Sequence, residues 1–205
     1  DANGYYVFPI SMPAKNMYDE ITAQFYDEND VAIGNAVTFD LETYMDKVKA
    51  YDPNYSDFVD SFLEYGACAA EYFGVENAPA SSADFDYDTI LGELADQHYD
   101  SVTMSGEYVG ATMLLKSTPI LRLYYKEAVD GLDLGDNAQW DTNDMNPDLT
   151  FIQKTISVTD FATTFNGYSV YHYLYKALKA GDDQKLMKLC AALYDFSKAA
   201  NAMNQ

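Results

Sequence analysis

Basic side chains are scarce in this sequence: 12 Lys and Arg stand against 33 Asp and Glu, a net charge of −21 over 205 residues. Arg122 is the single arginine. Such a surface repels phosphate backbones and anionic headgroups, so nucleic acid and membrane surfaces are disfavoured as partners, whereas uncharged ligands are not repelled. Long apolar runs are missing too, and none approaches a membrane span. No signal-peptide pattern opens the chain, so Asp1 reads as an artificial or a mature boundary. The two cysteines, Cys68 and Cys190, show no CxxC and no Cys/His metal spacing. Both fall on or beside the apolar stripe of a predicted helix. They read as buried thiols or, if those helices pack antiparallel, as a disulfide. Also absent are a GxSxG elbow, an HExxH pair, a glycine-rich phosphate loop and a Cys/His dyad. Carboxylates are so numerous that no glycosidase-like pair stands out among them. The expectation is a protein without catalytic activity and without a cofactor.

What the chain does have is aromatic rings: 19 Tyr and 11 Phe, against one Trp. Most recur at helix or strand spacing and belong to a core. Hydrophobic content of 48% with 22% charged residues supports such a core in a globular chain of this length.

Alternation predicts a strand over residues 5–12, with Pro9 tolerable only at an edge, and strands over 21–26 and 31–39 around a polar connection, Asp27-Glu28-Asn29-Asp30. A short helix follows from 41 to about 50. After the break at Asp52-Pro53-Asn54-Tyr55, a long helix begins with Ser56 or Asn54 as its cap. Its stripe is Phe58, Phe62, Tyr65, Ala69 and Tyr72, ended by Gly74, and Gly66, Ala67, Ala69 and Ala70 allow a close neighbour. Residues 77–83 read as a linker, and a short helix lies near 88–95. Asp84-Phe85-Asp86-Tyr87-Asp88 reads as a solvated loop leading into it. Strands are predicted over 101–108, 111–116, 120–126 and 150–158, with a long polar loop over 127–148. Helices over 168–179 and 183–203 close the chain, the last with the stripe Leu186, Leu189, Leu193, Phe196, Ala200 and Met203. Phe58, Phe62, Tyr65, Cys68 and Ala69 match Leu189, Leu193, Phe196, Ala199 and Ala200 at a constant offset, which suggests an internal duplication of a strands-plus-helix-pair unit. Clustered strands and clustered helices predict an α+β fold, with antiparallel, sandwich-like sheets packed on a helical cluster in a single binding module.

Four segments carry a resemblance: residues 10–23 with Pro13-Ala14-Lys15-Asn16-Met17, residues 62–74 with Glu64-Tyr65-Gly66-Ala67-Cys68, Leu121-Arg122-Leu123-Tyr124-Tyr125-Lys126, and residues 193–202 with Asp195-Phe196-Ser197-Lys198. In order and spacing they resemble a recurrent module of large secreted proteins from anaerobic gut bacteria, and within that group a starch-adherence domain of the amylosome. The resemblance implies a β-sandwich paired with a helical cluster, maltooligosaccharide as ligand, other modules of the same protein as neighbours, and a secreted, cell-surface location. The matching segments are packing stripes. The chain departs from the common pattern at Tyr51 and Tyr55, at Tyr171-His172 and in the loop around Trp140.

Trp140 lies among Asp136, Asn137, Gln139, Asp141, Thr142, Asn143 and Asp144. A flat apolar ring amid carboxylates and amides suits a neutral, hydroxyl-rich ligand, since each hydroxyl bond nets only about 1 kcal/mol and several must converge. The candidate site is therefore Trp140, Asp141, Asn143 and Asp144, joined by Tyr125 and Lys126 at the entering strand and by Tyr171 from the helical side. The competing reading is that the indole plugs the seam between sheet and helices. Among Tyr168, Tyr171, Tyr173 and Tyr175, the first, second and fourth share one helix face and Tyr173 points away. His172 reads as a surface or hydrogen-bonded histidine. Asp141, Asn143, Asp144, Asn146 and Asp148 invite calcium, but the glycine and closing glutamate of an EF-hand are missing, and no metal is expected. The function expected is α-glucan binding; the alternative is a structural spacer of a surface adhesin.

Overall fold

The computed structural model describes residues 10–116, 118–132 and 139–204. The class is α+β. The chain runs β1 (Ile21–Tyr26), β2 (Ala32–Phe39), α1 (Leu41–Tyr51), α2 (Ser56–Phe73), α3 (Tyr87–Asp96), β3 (Tyr108–Leu114), β4 (Ile120–Tyr125), β5 (Asp141–Thr142), β6 (Thr150–Thr155), α4 (Val170–Ala180) and α5 (Gln184–Ala202). One sheet is the β1–β2 hairpin; the other has four strands in the order β3-β4-β6-β5, with every pair antiparallel.

The core forms between the four-stranded sheet and the helices. Along β4, Leu121, Leu123 and Tyr125 are buried and alternate with half-buried Ile120, Arg122 and Tyr124, the period of two that a strand with one covered face requires. These buried residues, with Ile152 of β6, join Tyr65 and Ala69 of α2, Leu174 and Leu178 of α4, and Leu189 and Leu193 of α5 in one apolar cluster. Helices therefore cover the inner face of this sheet. The hairpin lies apart, and every residue of β2 is exposed. Close approach to α2 is made by Met17: a methyl added at Gly66 would sit 3.0 Å from its sulfur.

Several sequence expectations change. Of the strand expected over 5–12, residues 5–9 lie outside the described residues, and 10–12 form no strand. Residues 101–107 are not a strand either. Two of their carbonyls turn to the loop and helix before and within α4: His172 Nε2 donates to Ser101 O (3.2 Å) and Asn166 Nδ2 to Ser105 O (3.3 Å). Neither Ser56 nor Asn54 caps α2. A 3₁₀ turn, Pro53–Tyr55, runs straight into it, and Asp52 caps that turn by accepting from Asn54 N at 3.0 Å. Residues 77–83 are not a free linker, because Ser81 Oγ donates to Glu64 of α2 and Lys188 Nζ of α5 donates to Ser81 O (3.1 Å). The acidic run is, as expected, a segment with exposed aspartates leading into a helix, and Asp86 is the N-cap of α3, accepting from Thr89 N at 3.0 Å. Of the two readings for the cysteines, that of buried thiols holds: Cys68 and Cys190 are both free and buried, and burial pushes both thiols up to about 12. The two helix pairs are unequal: α1 buries no residue, whereas α4 buries Val170, His172, Leu174, Tyr175 and Leu178.

Candidate functional site

Two short β5 residues determine how Trp140 is presented. Asp141 and Thr142 pair with Phe151 and Thr150 of β6, so the indole stands at the entry to an edge strand. The ring is half-buried. Its inner side meets the Tyr125 ring edge-on, centroids 5.1 Å apart at 81°. Tyr125 is fully buried, and its Oη accepts from Asn166 Nδ2 at 2.5 Å. Burial raises the Tyr125 phenol above its ordinary value, and the Asn166 hydrogen bond offsets part of that. Behind it the rings of Tyr108 and Tyr168 follow at 6.0 and 5.7 Å. This relay of aromatic rings, tied to the loop before α4, backs the half-buried Trp140.

The loop beyond the ring is shaped by its own amides. Asn143 N donates to Leu149 O (3.1 Å) and Leu149 N to Asn146 O (3.0 Å), closing the turn between β5 and β6. Asn143 Oδ1 accepts from Met145 N (3.1 Å), Asn146 Oδ1 from Asp148 N (3.2 Å) and Asp141 Oδ1 from Thr142 N (2.8 Å). Side chains that bond backbone two residues on are the usual builders of such turns. Asn143 thus has its side-chain carbonyl engaged, while its amide N–H groups make no hydrogen bond among the described residues. Asp141 retains Oδ2, and Asp144 is exposed. Of the strip considered for calcium, the Asn143 and Asn146 oxygens are held in these turns. Among the described residues, no three His, Cys, Asp or Glu side chains cluster so as to hold a metal ion.

The remaining predicted residues separate. Lys126 is exposed beside the loop and ion-paired to Glu107 at 2.9 Å, which raises its ammonium above the ordinary value. Tyr125 lies directly behind Trp140 and meets no solvent, so it supports the site from within. Tyr171 is elsewhere: its Oη shares a 3.0 Å hydrogen bond with Ser197 Oγ, and its ring packs on Tyr99, Phe161 and Tyr194 in the helical cluster. Tyr168 and Tyr175 are buried as their spacing predicts, while Tyr171 and Tyr173 are both half-buried, on different surroundings. Tyr173 lines a cavity with Tyr72 and Phe73, and burial pushes its phenol up to about 12. His172 is buried and bonded at both nitrogens. Ser169 N–H donates to Nδ1 (3.0 Å) and Nε2 donates to the Ser101 carbonyl, which defines a neutral ring in a capping box.

A further concave surface, away from the predicted site residues, was signalled in the sequence only by the unusual tyrosines at 51 and 55. It is a groove of about 410 Å³ between the Pro53–Tyr55 turn and the end of α5, with Tyr55 and Phe58 on its walls. No protein-family model, curated protein or solved structure matches this chain.

Proposed function

We propose that this chain is a non-catalytic carbohydrate-binding module for a neutral, starch-like α-glucan or maltooligosaccharide, with Trp140 as the stacking ring. The observation that carries the reading is the indole itself, half-exposed and braced edge-on by a buried tyrosine. A ring already held in place loses little entropy when a sugar stacks on it, and such preorganisation favours affinity. Asp141, Asp144 and the Asn143 amide stand beside it to meet hydroxyls. The net charge of −21 supports an uncharged glycan over a sulfated or uronic-acid one. The resemblance to secreted gut-bacterial modules supports a cell-surface setting with other modules of the same protein as neighbours.

Calorimetry with maltoheptaose on the wild-type chain and on Trp140→Ala tests this reading. The variant is expected to lose at least about tenfold in affinity, ~1.4 kcal/mol. Equal binding by both proteins rejects Trp140 as the stacking ring. The exposed apolar residues of the β1–β2 hairpin, Phe25, Ile33 and Val37 among them, favour a second reading, a structural module of a surface adhesin. A folded chain that binds no saccharide at millimolar concentration decides for that alternative.

A further inference from the structure

The groove at the far end of the helical cluster has the chemistry of a second sugar site. It is lined by Phe58, whose ring stacks on Phe62 (6.3 Å, 6° between planes) and tilts on Phe196 (5.4 Å). Its rim is the turn that carries Tyr55, and the turn is fixed because Asp52 Oδ1 accepts from Asn54 N at 3.0 Å. The opposite wall is the last turn of α5, ending at Met203. Tyr51 stands immediately before this rim and is 90% exposed. At about 410 Å³ the groove falls within the range of small-ligand sites, ~300–1,000 Å³.

Most of the side-chain polar atoms around it are unengaged. Among the described residues, Tyr55 Oη, the Asn54 side-chain amide and the Asp57 carboxylate make no hydrogen bond, and Asp52 keeps one oxygen free. Ionised carboxylates only accept, an amide both donates and accepts, and a phenol does both. Sugar hydroxyls, which donate and accept at neighbouring carbons, match such a set. No lysine or arginine lines the groove, so nothing there would hold a phosphate, sulfate or uronate. The aromatic walls supply the apolar face that a pyranose ring presents on one side.

We propose that this groove is a second saccharide site, with Tyr55 as its stacking ring and Asp52, Asn54 and Asp57 as hydroxyl partners for a neutral pyranose. The proposal rests on the carbohydrate reading of the module but uses none of the residues around Trp140. Two sites on one module let a polysaccharide that reaches both bind more tightly than a short oligomer, provided its length spans them.

Methionine methyl groups report on each site separately: Met203 lines the groove, and Met145 is 96% exposed in the Trp140 loop. The experiment titrates maltotriose into the full chain carrying ¹³C-methyl methionine, followed by NMR. The expected result is that both methyl signals shift. Tyr55→Ala should then weaken the Met203 response at least about tenfold and leave Met145 unchanged, and Trp140→Ala should do the reverse. Tyr51→Ala, an exposed substitution that leaves the fold intact, should weaken the Met203 response by a smaller factor. A Met145 shift with Met203 silent overturns the groove proposal alone. Silence at both methyls overturns the groove and the carbohydrate reading together. A Met203 shift that survives both tyrosine substitutions also overturns the groove assignment. So does a Met203 response to choline at lower concentration than to maltotriose, which would make the groove a cation site.

Discussion

The two ends of this molecule use similar sequence patterns to opposite effect. In the N-terminal region, β1, β2 and α1 alternate and cycle as amphipathic elements should, yet β2 is exposed along its whole length and α1 buries nothing. In the C-terminal region, β4 hides every second residue and α4 hides five of its eleven. What differs is the availability of a partner. The face of β4 is covered by α2, α4 and α5, whereas among the described residues the hairpin meets the segment of residues 10–17, the start of α1 and Phe62 of α2 around an apolar groove of about 350 Å³. A two-stranded hairpin is marginal by itself, since it has too little apolar area to offset the entropy of ordering its chain. The C-terminal region therefore carries the stability, and the hairpin depends on it.

The sharpest way to break this comparison is to truncate one apolar side chain in each region. Leu193→Ala, at a fully buried position of α5, should cost about 2–5 kcal/mol in urea unfolding through lost transfer energy and a cavity. Val37→Ala, 65% exposed on β2, should stay within about 0.5 kcal/mol. Similar losses at both positions would mean that the hairpin face is packed in solution.

Two glycines sharpen the same contrast. Gly34 in β2 and Gly167 before α4 both have positive φ, +70° and +75°. An added methyl at Gly34 meets nothing within 4 Å, so Gly34→Ala should cost only the backbone term, about 1–2 kcal/mol. At Gly167 the methyl would lie 2.1 Å from the Thr103 carbonyl oxygen, which belongs to the segment strapped across α4. Gly167→Ala should cost about 3 kcal/mol or more and loosen residues 101–107, read by amide exchange. Equal costs would show that the strap yields freely.

His172 gives the smallest and most specific effect. Burial, the largest cause, lowers its imidazolium pKa below the ordinary value. Between that lowered value and about 6.5 the unfolded chain binds a proton that the folded chain does not, so stability falls as pH drops through this window and is level above it. Urea midpoints measured between pH 7.5 and 5.5 should decline less steeply for His172→Gln than for the wild type, by at most ~1.4 kcal/mol per pH unit. An unchanged slope would remove His172 from the pH response. The hairpin contains no histidine, so its local exchange rates should not follow this slope.

Much of the element order was legible from periodicity. β1 and the bodies of β2, α1, α2, α3 and α5 stand where alternation or the three-four spacing of apolar residues puts them. Residues 101–107 misled because their apolar alternation is real, but the Ser101 and Ser105 carbonyls bond to His172 and Asn166, more than sixty residues away in sequence. The site was legible in part. Trp140 stood out as a lone indole in a polar loop, but the engagement of Asn143 in its own turn and the placement of Tyr171 within the helical cluster depend on contacts that spacing does not encode. Tyr51 and Tyr55 were visible as unusual residues, yet only the approach of α5 makes a groove beside them.

Composition and period by themselves determined the α+β class, the acidic surface and which stripe of each helix is apolar, because these follow from backbone geometry and side-chain solubility acting over a few residues. Only the tertiary structure decided which apolar stripes are covered, which tyrosines meet water and where concave surfaces form. Those outcomes depend on which distant segments compete for the same face, and the free energies that settle the competition arise only when the segments pack.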